Sequence, residues 1–228
     1  MDLLFDLDGT LTDPERGITG CIQHAIRKLG REPAPREGLR RYIGPPLRRT
    51  FAELLATDDP ARIDSAIAHY RERFAEIGMY ENEVYPDVRK SLAALRQQGH
   101  RLWVATSKPE VCARRIVRHF ALTSLFQGVY GSELSGERSE KTELISHIMR
   151  YEVFESGQVC MIGDRAQDIE GGRANGTRTV GVLWGFGSET ELRSAGPDIL
   201  VNSMPALVVY IGDMQDRIEP GGRDVSAG

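Results

Sequence analysis

Cysteine is scarce in this 228-residue chain: Cys21, Cys112 and Cys160 stand far apart, and no C-x-x-C occurs. An odd, scattered set argues against a disulfide framework and against a cysteine-based zinc site. The three read as reduced, mostly buried small apolar residues. Positive charge is not in excess either. Twenty-nine Lys and Arg face 33 Asp and Glu, for a net charge of -4, which argues against a nucleic-acid partner. No run of about 18 apolar residues is present, so no membrane partner is expected. The first residues lack the basic-then-apolar order of a secretory signal, which makes the cytoplasm the default expectation. No internal repeat is visible. What is there is ordinary for a globular protein: 40% hydrophobic and 27% charged residues. The length suits one large domain, or a medium domain with an insert.

Short apolar runs alternate with helical patterns. LLFDLD, RLWVAT, GVYG, QVCMIG and TVGVLW read as strands, with a weaker DILV near the end. The first, second and fourth are nearly continuous, as in strands covered on both faces. PDVRKSLAALRQQG places Val88, Leu92 and Leu95 on one face and stops at Gly99; PEVCARRIVRHF and KTELISHIMRYEVF behave alike. Alternating strand and helix predicts an α/β fold with a Rossmann-like parallel sheet and right-handed crossovers.

Residues 14–82 break this rhythm and contain no convincing strand. Ile18, Ile22, Ile26 and Leu29 have helical spacing, as do Ile63, Ile67, Tyr70, Phe74 and Ile77. An α-helical module is therefore expected after the first strand. The expected core is 1–13 with 83–212, and residues 213–228, which end in the Gly- and Pro-rich IEPGGRDVSAG, read as a flexible tail. An insert at that point should overhang the strand's C-terminal end, where open α/β sheets bind ligands.

Two carboxylates, Asp6 and Asp8, close the first apolar run. Residues i and i+2 of a strand point the same way, and Gly9 lets the chain turn sharply afterwards. Buried carboxylates need a cation, hydrogen bonds or shared protons. A hairpin turn fits poorly, because no partner strand follows. Further acids appear in VCMIGDRAQD, where Asp164 follows a second buried run and Asp168 comes four residues later. Carboxylates from two strand ends make the oxygen-rich cluster that Mg²⁺ favours, although helix capping alone is an open reading for the second pair. Thr106 and Ser107 end a third run, before a helix, at what is either a phosphate site or a plain N-cap. Lys141 opens a helix, where the dipole disfavours it, so a phosphate and carboxylates could hold it; a solvated lysine is the alternative.

FDLDGTLTD, VATSKP, Lys141 and GDRAQD, in this order, resemble the four motifs of the haloacid dehalogenase-like hydrolase superfamily, over nearly the whole chain. The insert resembles that family's helical cap of the first type (C1). IGPPL, VATSKPE, GVYGSEL and CMIGDR look closest to its phosphoglycolate phosphatase-like or 5'-nucleotidase-like branch. The resemblance implies Asp6 as nucleophile, forming an aspartyl phosphate, and Asp8 as general acid and then base. It implies Mg²⁺ held by Asp6, Asp164, Asp168 and the backbone carbonyl of Asp8. Thr106, Ser107, Lys141 and the N–H of Gly9 would hold the phosphoryl oxygens.

Within the superfamily, dehalogenases lack the second aspartate, so Asp8 argues against them. Phosphonatases use a cap lysine, and the only one is Lys28, on a polar helix face. A sugar phosphomutase and a non-catalytic phosphate-binding protein stay open as alternatives. The expected partner is a small phosphorylated metabolite, with a nucleoside 5'-monophosphate preferred over 2-phosphoglycolate. Arg48 and Arg49 are candidate contacts for a second anionic group, and Tyr42 for stacking on a base; solvated cap surface is the other reading of each. Oligomeric state is left open.

Overall fold

The computed structural model describes residues 1–218. Six parallel strands form one sheet in the order β5-β4-β1-β6-β7-β8. They are β1 (Asp2–Phe5), β4 (Arg101–Pro109), β5 (Gly128–Ser132), β6 (Val159–Gly163), β7 (Arg178–Val182) and β8 (Ile199–Val201). These are the six apolar runs read in the sequence. Leu3, Leu4, Phe5, Leu102, Val104, Cys160, Met161 and Ile162 are fully buried, because helices cover both faces. Crossover helices are α5 (Val88–Gln97), α6 (Glu110–His119), α7 (Lys141–Tyr151), α8 (Ala166–Ala174) and α9 (Glu189–Ala195), and α10 (Met204–Ile218) closes the described chain. Residues 213–218, expected as loose tail, therefore continue a helix; residues 219–228 lie outside the described residues. No helix among the described residues is long and apolar enough to cross a membrane.

Between β1 and the rest of the sheet the chain makes an α-helical insert: α1 (Glu15–Lys28), α2 (Arg36–Leu39), α3 (Leu47–Leu55) and α4 (Pro60–Arg73). A short antiparallel ribbon joins its entry and exit, with β2 (Thr12–Asp13) paired to β3 (Glu83–Val84). Asp59 caps α4 by accepting from the Ala61 N–H, and Pro60 occupies the first turn. The insert packs on the same apolar core as the sheet, through Ile22, Phe51, Tyr70 and Phe74 among others.

One expectation within the insert fails. Ile77 was placed on the buried face with Tyr70 and Phe74, yet it is 51% exposed. The chain widens to a π turn over Phe74–Gly78, and the extra residue in that turn rotates Ile77 outward. The turn lies where two backbones meet. A Cβ on Gly17 of α1 would sit 2.0 Å from the Gly78 carbonyl oxygen, and one on Gly78 would sit 2.3 Å from Cys21 Sγ.

Candidate active site

β1 is flanked by β4 on one side and β6 on the other, so the strand order reverses at its edge and leaves a crevice at the strand ends. Asp6 extends β1 by one residue, its N–H donating to the Ile162 carbonyl at 2.9 Å. The chain then turns: Gly9 has φ +89°, and the N–H groups of Leu11 and Thr12 both donate to the Leu7 carbonyl. Asp6 and Asp8 are thereby fixed, 4% and 6% exposed, at the mouth of the crevice.

Asp164 follows β6 and Asp168 lies in the first turn of α8; both are fully buried. Carboxylate oxygens of Asp6, Asp164 and Asp168 lie within 4.8 Å of one another. Thr10 Oγ1 donates to Asp164 Oδ1 at 3.3 Å, and the Phe186 N–H donates to Oδ2 at 2.8 Å. Asp168 does two jobs. Its Oδ2 accepts from the Arg165 N–H, capping α8, and its Oδ1 pairs with Lys141. Glycines let the backbone lie against these groups: a Cβ on Gly9 would meet Asp164 Oδ2 at 2.2 Å, and one on Gly163 would meet Asp168 Cγ at 2.3 Å.

Lys141 is 3% exposed and places Nζ 2.7 Å from Asp6 Oδ1, from Asp168 Oδ1 and from the Ala105 carbonyl oxygen. Asp6 Oδ1 and the Ala105 carbonyl accept hydrogen bonds from it, and Asp168 Oδ1 is its second ion-pair partner. Burial alone would pull the Lys141 pKa down, but Asp168 and Asp6 outweigh it and hold it above the usual lysine value. Burial pushes the Asp164 carboxyl well above its ordinary range, reinforced by Asp168 and Asp6. Asp168 is raised mainly by the same desolvation, with Lys141 opposing.

Asp8 is not part of this cluster. Its Oδ2 pairs with Lys108 Nζ at 2.7 Å, and its buried Oδ1 has no hydrogen-bond partner among the described residues. Burial raises the Asp8 pKa; Lys108 works against that and Asp6 adds to it. Over Asp6 and Asp8 lies a cavity of about 80 Å³ whose apolar walls include Ile18, Leu47, Tyr70, Phe74, Cys112 and Leu134. Thr106, Ser107 and Tyr42 also line it.

The haloacid dehalogenase-like hydrolase profile matches residues 3–182. The chain belongs to this family. It is 47% identical over 206 residues to a 5'-nucleotidase of Pseudomonas aeruginosa, covering 90% of this chain and 93% of that one. It is 38% identical over 186 residues to the tyrosine-protein kinase PtkA of Mycobacterium tuberculosis, covering 81% of this chain but 62% of that protein. A phosphoglycolate phosphatase of Aquifex aeolicus is 28% identical, with 92% and 96% covered. Among solved structures, a predicted phosphatase from Clostridium acetobutylicum superposes with a TM-score of 0.90 at 38% identity, covering 93% of this chain and 98% of that one. Family and relatives make this haloacid dehalogenase-like hydrolase a phosphatase.

Not every candidate residue meets at the site. Arg48 pairs with Asp64 on the outside of the insert, 58% exposed. Arg49 lines a separate cavity of about 330 Å³ beside Arg165 and Glu191. Neither lines the cavity above Asp6 and Asp8, because α3 turns Thr50, Phe51 and Leu55 inward instead. Tyr42 does reach it, but its hydroxyl is engaged, donating to Glu53 Oε1 at 2.9 Å and accepting from Arg41 at 2.8 Å.

Sequence reasoning missed Lys108, which reads as an ordinary solvated lysine in VATSKP. It also missed the loop that covers Asp164. There Trp184 Nε1 donates to the Thr10 carbonyl at 3.0 Å, and a Cβ on Gly185 would sit 2.4 Å from Asp164 Oδ2. The signal for that loop was available: WGFG places two glycines directly after a buried strand.

Proposed function

We propose that this phosphatase hydrolyses small phosphate monoesters through an aspartyl phosphate on Asp6, with residues 14–82 as its cap and 1–13 with 83–212 as its core. The observation that carries this reading is the division of labour between the two aspartates. Asp6 is held by Lys141 within the acidic cluster, while Asp8, which lines the cavity, stands apart with Oδ1 free of any hydrogen-bond partner among the described residues. Lys141 fixes the attacking carboxylate through Oδ1. Asp8 would carry the proton for the leaving oxygen and, once ionised, take a proton from the water that frees phosphate. Thr106 and Ser107 line the cavity and would hold the phosphoryl oxygens; the Gly9 N–H, expected from the sequence to join them, instead donates to the Thr12 carbonyl at 2.8 Å, because the turn after Asp8 closes on itself.

The donor set suits Mg²⁺. Asp6, Asp8, Asp164 and Asp168 face only Lys141 and Lys108 among the described residues, so with every carboxyl ionised two negative charges are left without an ammonium partner. Asp6, Asp164 and Asp168 would hold the ion, together with the backbone carbonyl of Asp8. When bound it neutralises charge on the phosphoryl group.

A nucleoside 5'-monophosphate is the preferred substrate class. Tyr42, Tyr70, Phe74 and Leu47 offer faces for a nucleoside, and the relative 47% identical to this chain is named a 5'-nucleotidase. The cavity is well below the several hundred Å³ of an ordinary ligand site, so the cap must move aside to admit a nucleoside. 2-Phosphoglycolate is the alternative. The test is phosphate release with Mg²⁺ from nucleoside 5'-monophosphates, 2-phosphoglycolate, sugar phosphates and p-nitrophenyl phosphate. Nucleotides should lead the panel, and Asp6→Asn should abolish all turnover with the fold intact. Turnover by Asp6→Asn, or transfer from ATP to tyrosine peptides without phosphate release, would end this reading.

A further inference from the structure

β4 does not run regularly to its end. It pairs with β5 at Ala105↔Tyr130 and again at Pro109↔Ser132, so four steps along β4 match two along β5. The surplus residues leave the ladder as a bulge, a device that re-aims side chains beside active sites. The bulge is secured on both sides. Ser132 Oγ donates to the Ser107 carbonyl at 2.9 Å. Gly131 leaves room for it, since a Cβ there would lie 2.4 Å from the Lys108 carbonyl oxygen. One consequence is that Lys108 turns its side chain inward, where it is only 6% exposed.

A buried ammonium must be paired, and among the described residues Asp8 is the one carboxylate within ion-pair distance, at 2.7 Å. The cap supplies the rest of its surroundings. Phe74, the first residue of the π turn, presents its ring 4.7 Å from Lys108 Nζ and stacks on Tyr70 at 5.5 Å. A cation over an aromatic face is favoured most when desolvated.

We propose that Lys108 is the positioning residue for the proton donor: it grips Asp8 by Oδ2 so that Oδ1 faces the cavity, and the cap completes the grip by laying Phe74 over the ammonium. The inference rests on the reaction proposed above. In its first step the Asp6 oxygen–phosphorus bond forms. The bond from phosphorus to the leaving oxygen breaks, its electron pair stays on that oxygen, and the proton on Asp8 passes to it. A misplaced Asp8 harms that step only where the leaving oxygen needs the proton. An alkoxide needs it; p-nitrophenolate, a stable anion near neutral pH, does not.

The experiment compares kcat/KM for AMP and for p-nitrophenyl phosphate, since kcat/KM stops at the first irreversible step and leaves out hydrolysis of the intermediate. Lys108→Met should lose about 10²-fold on AMP, the scale of a general acid's contribution, and only about threefold on p-nitrophenyl phosphate. Lys108→Arg should recover part of the AMP loss. Phe74→Leu, which keeps the lysine, should show a smaller imbalance of the same sign between phenyl phosphate and p-nitrophenyl phosphate, a pair with no nucleoside for Phe74 to face and differing in how much the leaving oxygen needs the proton, and it decides the matter if Lys108→Met does not fold. Equal losses on both substrates in Lys108→Met would overturn the proposal, as would an unchanged ratio in Phe74→Leu. Asp6→Asn, run alongside on p-nitrophenyl phosphate, separates the two levels: activity there would bring down the underlying reaction itself, not only the part given to Lys108.

Discussion

A methyl group on Gly9 has nowhere to go. It would meet Asp164 Oδ2 at 2.2 Å, and φ +89° is strained for any L side chain. Gly9→Ala should therefore destabilise the protein by about 1–3 kcal/mol in urea titrations and depress turnover, because the displaced group is a carboxylate of the acidic cluster. A second residue-scale prediction concerns pH. His100 is buried, neither ring nitrogen has a partner among the described residues, and burial, with the chain's amino terminus, lowers its pKa to about 4. The folded state resists protonation of this ring while the unfolded chain takes up a proton near pH 6.5. Its contribution is thus complete above pH 6.5 and lost as pH falls from there toward about 4. The loss should reach about 2 kcal/mol by pH 5. His100→Gln should flatten that part of the stability curve; an unchanged slope would refute the assignment. Residues like Asp6, Asp8, Asp164 and Lys141 were legible because charge at the end of an apolar run, or lysine at a helix start, contradicts its local setting. Lys108 was not, because a lysine between Ser and Pro contradicts nothing until the bulge turns it inward.

At the scale of elements, strands were the readable part. A run covered on both faces must be apolar throughout, and Leu3, Leu4, Phe5 and Val159–Ile162 carry that pattern in the chain itself. The β2–β3 ribbon was invisible: two residues per strand leave no period to detect. The π turn was hidden by its own neighbours, since Tyr70 and Phe74 keep a regular spacing right up to it and Ile77 looks like the next member. Contact between insert and core was readable only in its apolar part, the stripe with Ile22, Tyr70 and Phe74; a hydrogen bond to a backbone oxygen of the insert leaves no mark in the sequence. Arg165, at the start of α8, donates from Nη1 to the Ile43 carbonyl at 2.5 Å and from Nε to Glu191 Oε1 at 2.9 Å. Arg165→Ala should release residues 40–46 to faster amide exchange while moving global stability by no more than about 1 kcal/mol, since the contacts are partly exposed. Hydrogen exchange by mass spectrometry measures this, and unaltered protection of 40–46 would show that Arg165 does not hold this segment.

For the whole molecule the decisive quantity is local charge. The chain carries a mild -4 overall, yet Asp6, Asp8, Asp164 and Asp168 are gathered in one buried region with Lys108 and Lys141 as their ammonium partners. Like charges held together out of water cost stability, and a divalent cation removes that cost. Mg²⁺ should therefore raise the melting temperature, by about 2.7 kcal/mol of added stability at a hundredfold excess over its dissociation constant. Asp164→Asn separates charge from mere packing. It keeps the shape of the side chain, and its oxygen can still accept from the Phe186 N–H. Without Mg²⁺ the variant should melt higher than the wild type, because one of the crowded charges is gone. With Mg²⁺ the order should reverse, because the ion has lost a ligand. A thermal scan of both proteins with and without Mg²⁺ checks both halves. If Asp164→Asn melts lower in both conditions, Asp164 is a structural acceptor for Thr10 and Phe186, and the acidic cluster is not built around a cation.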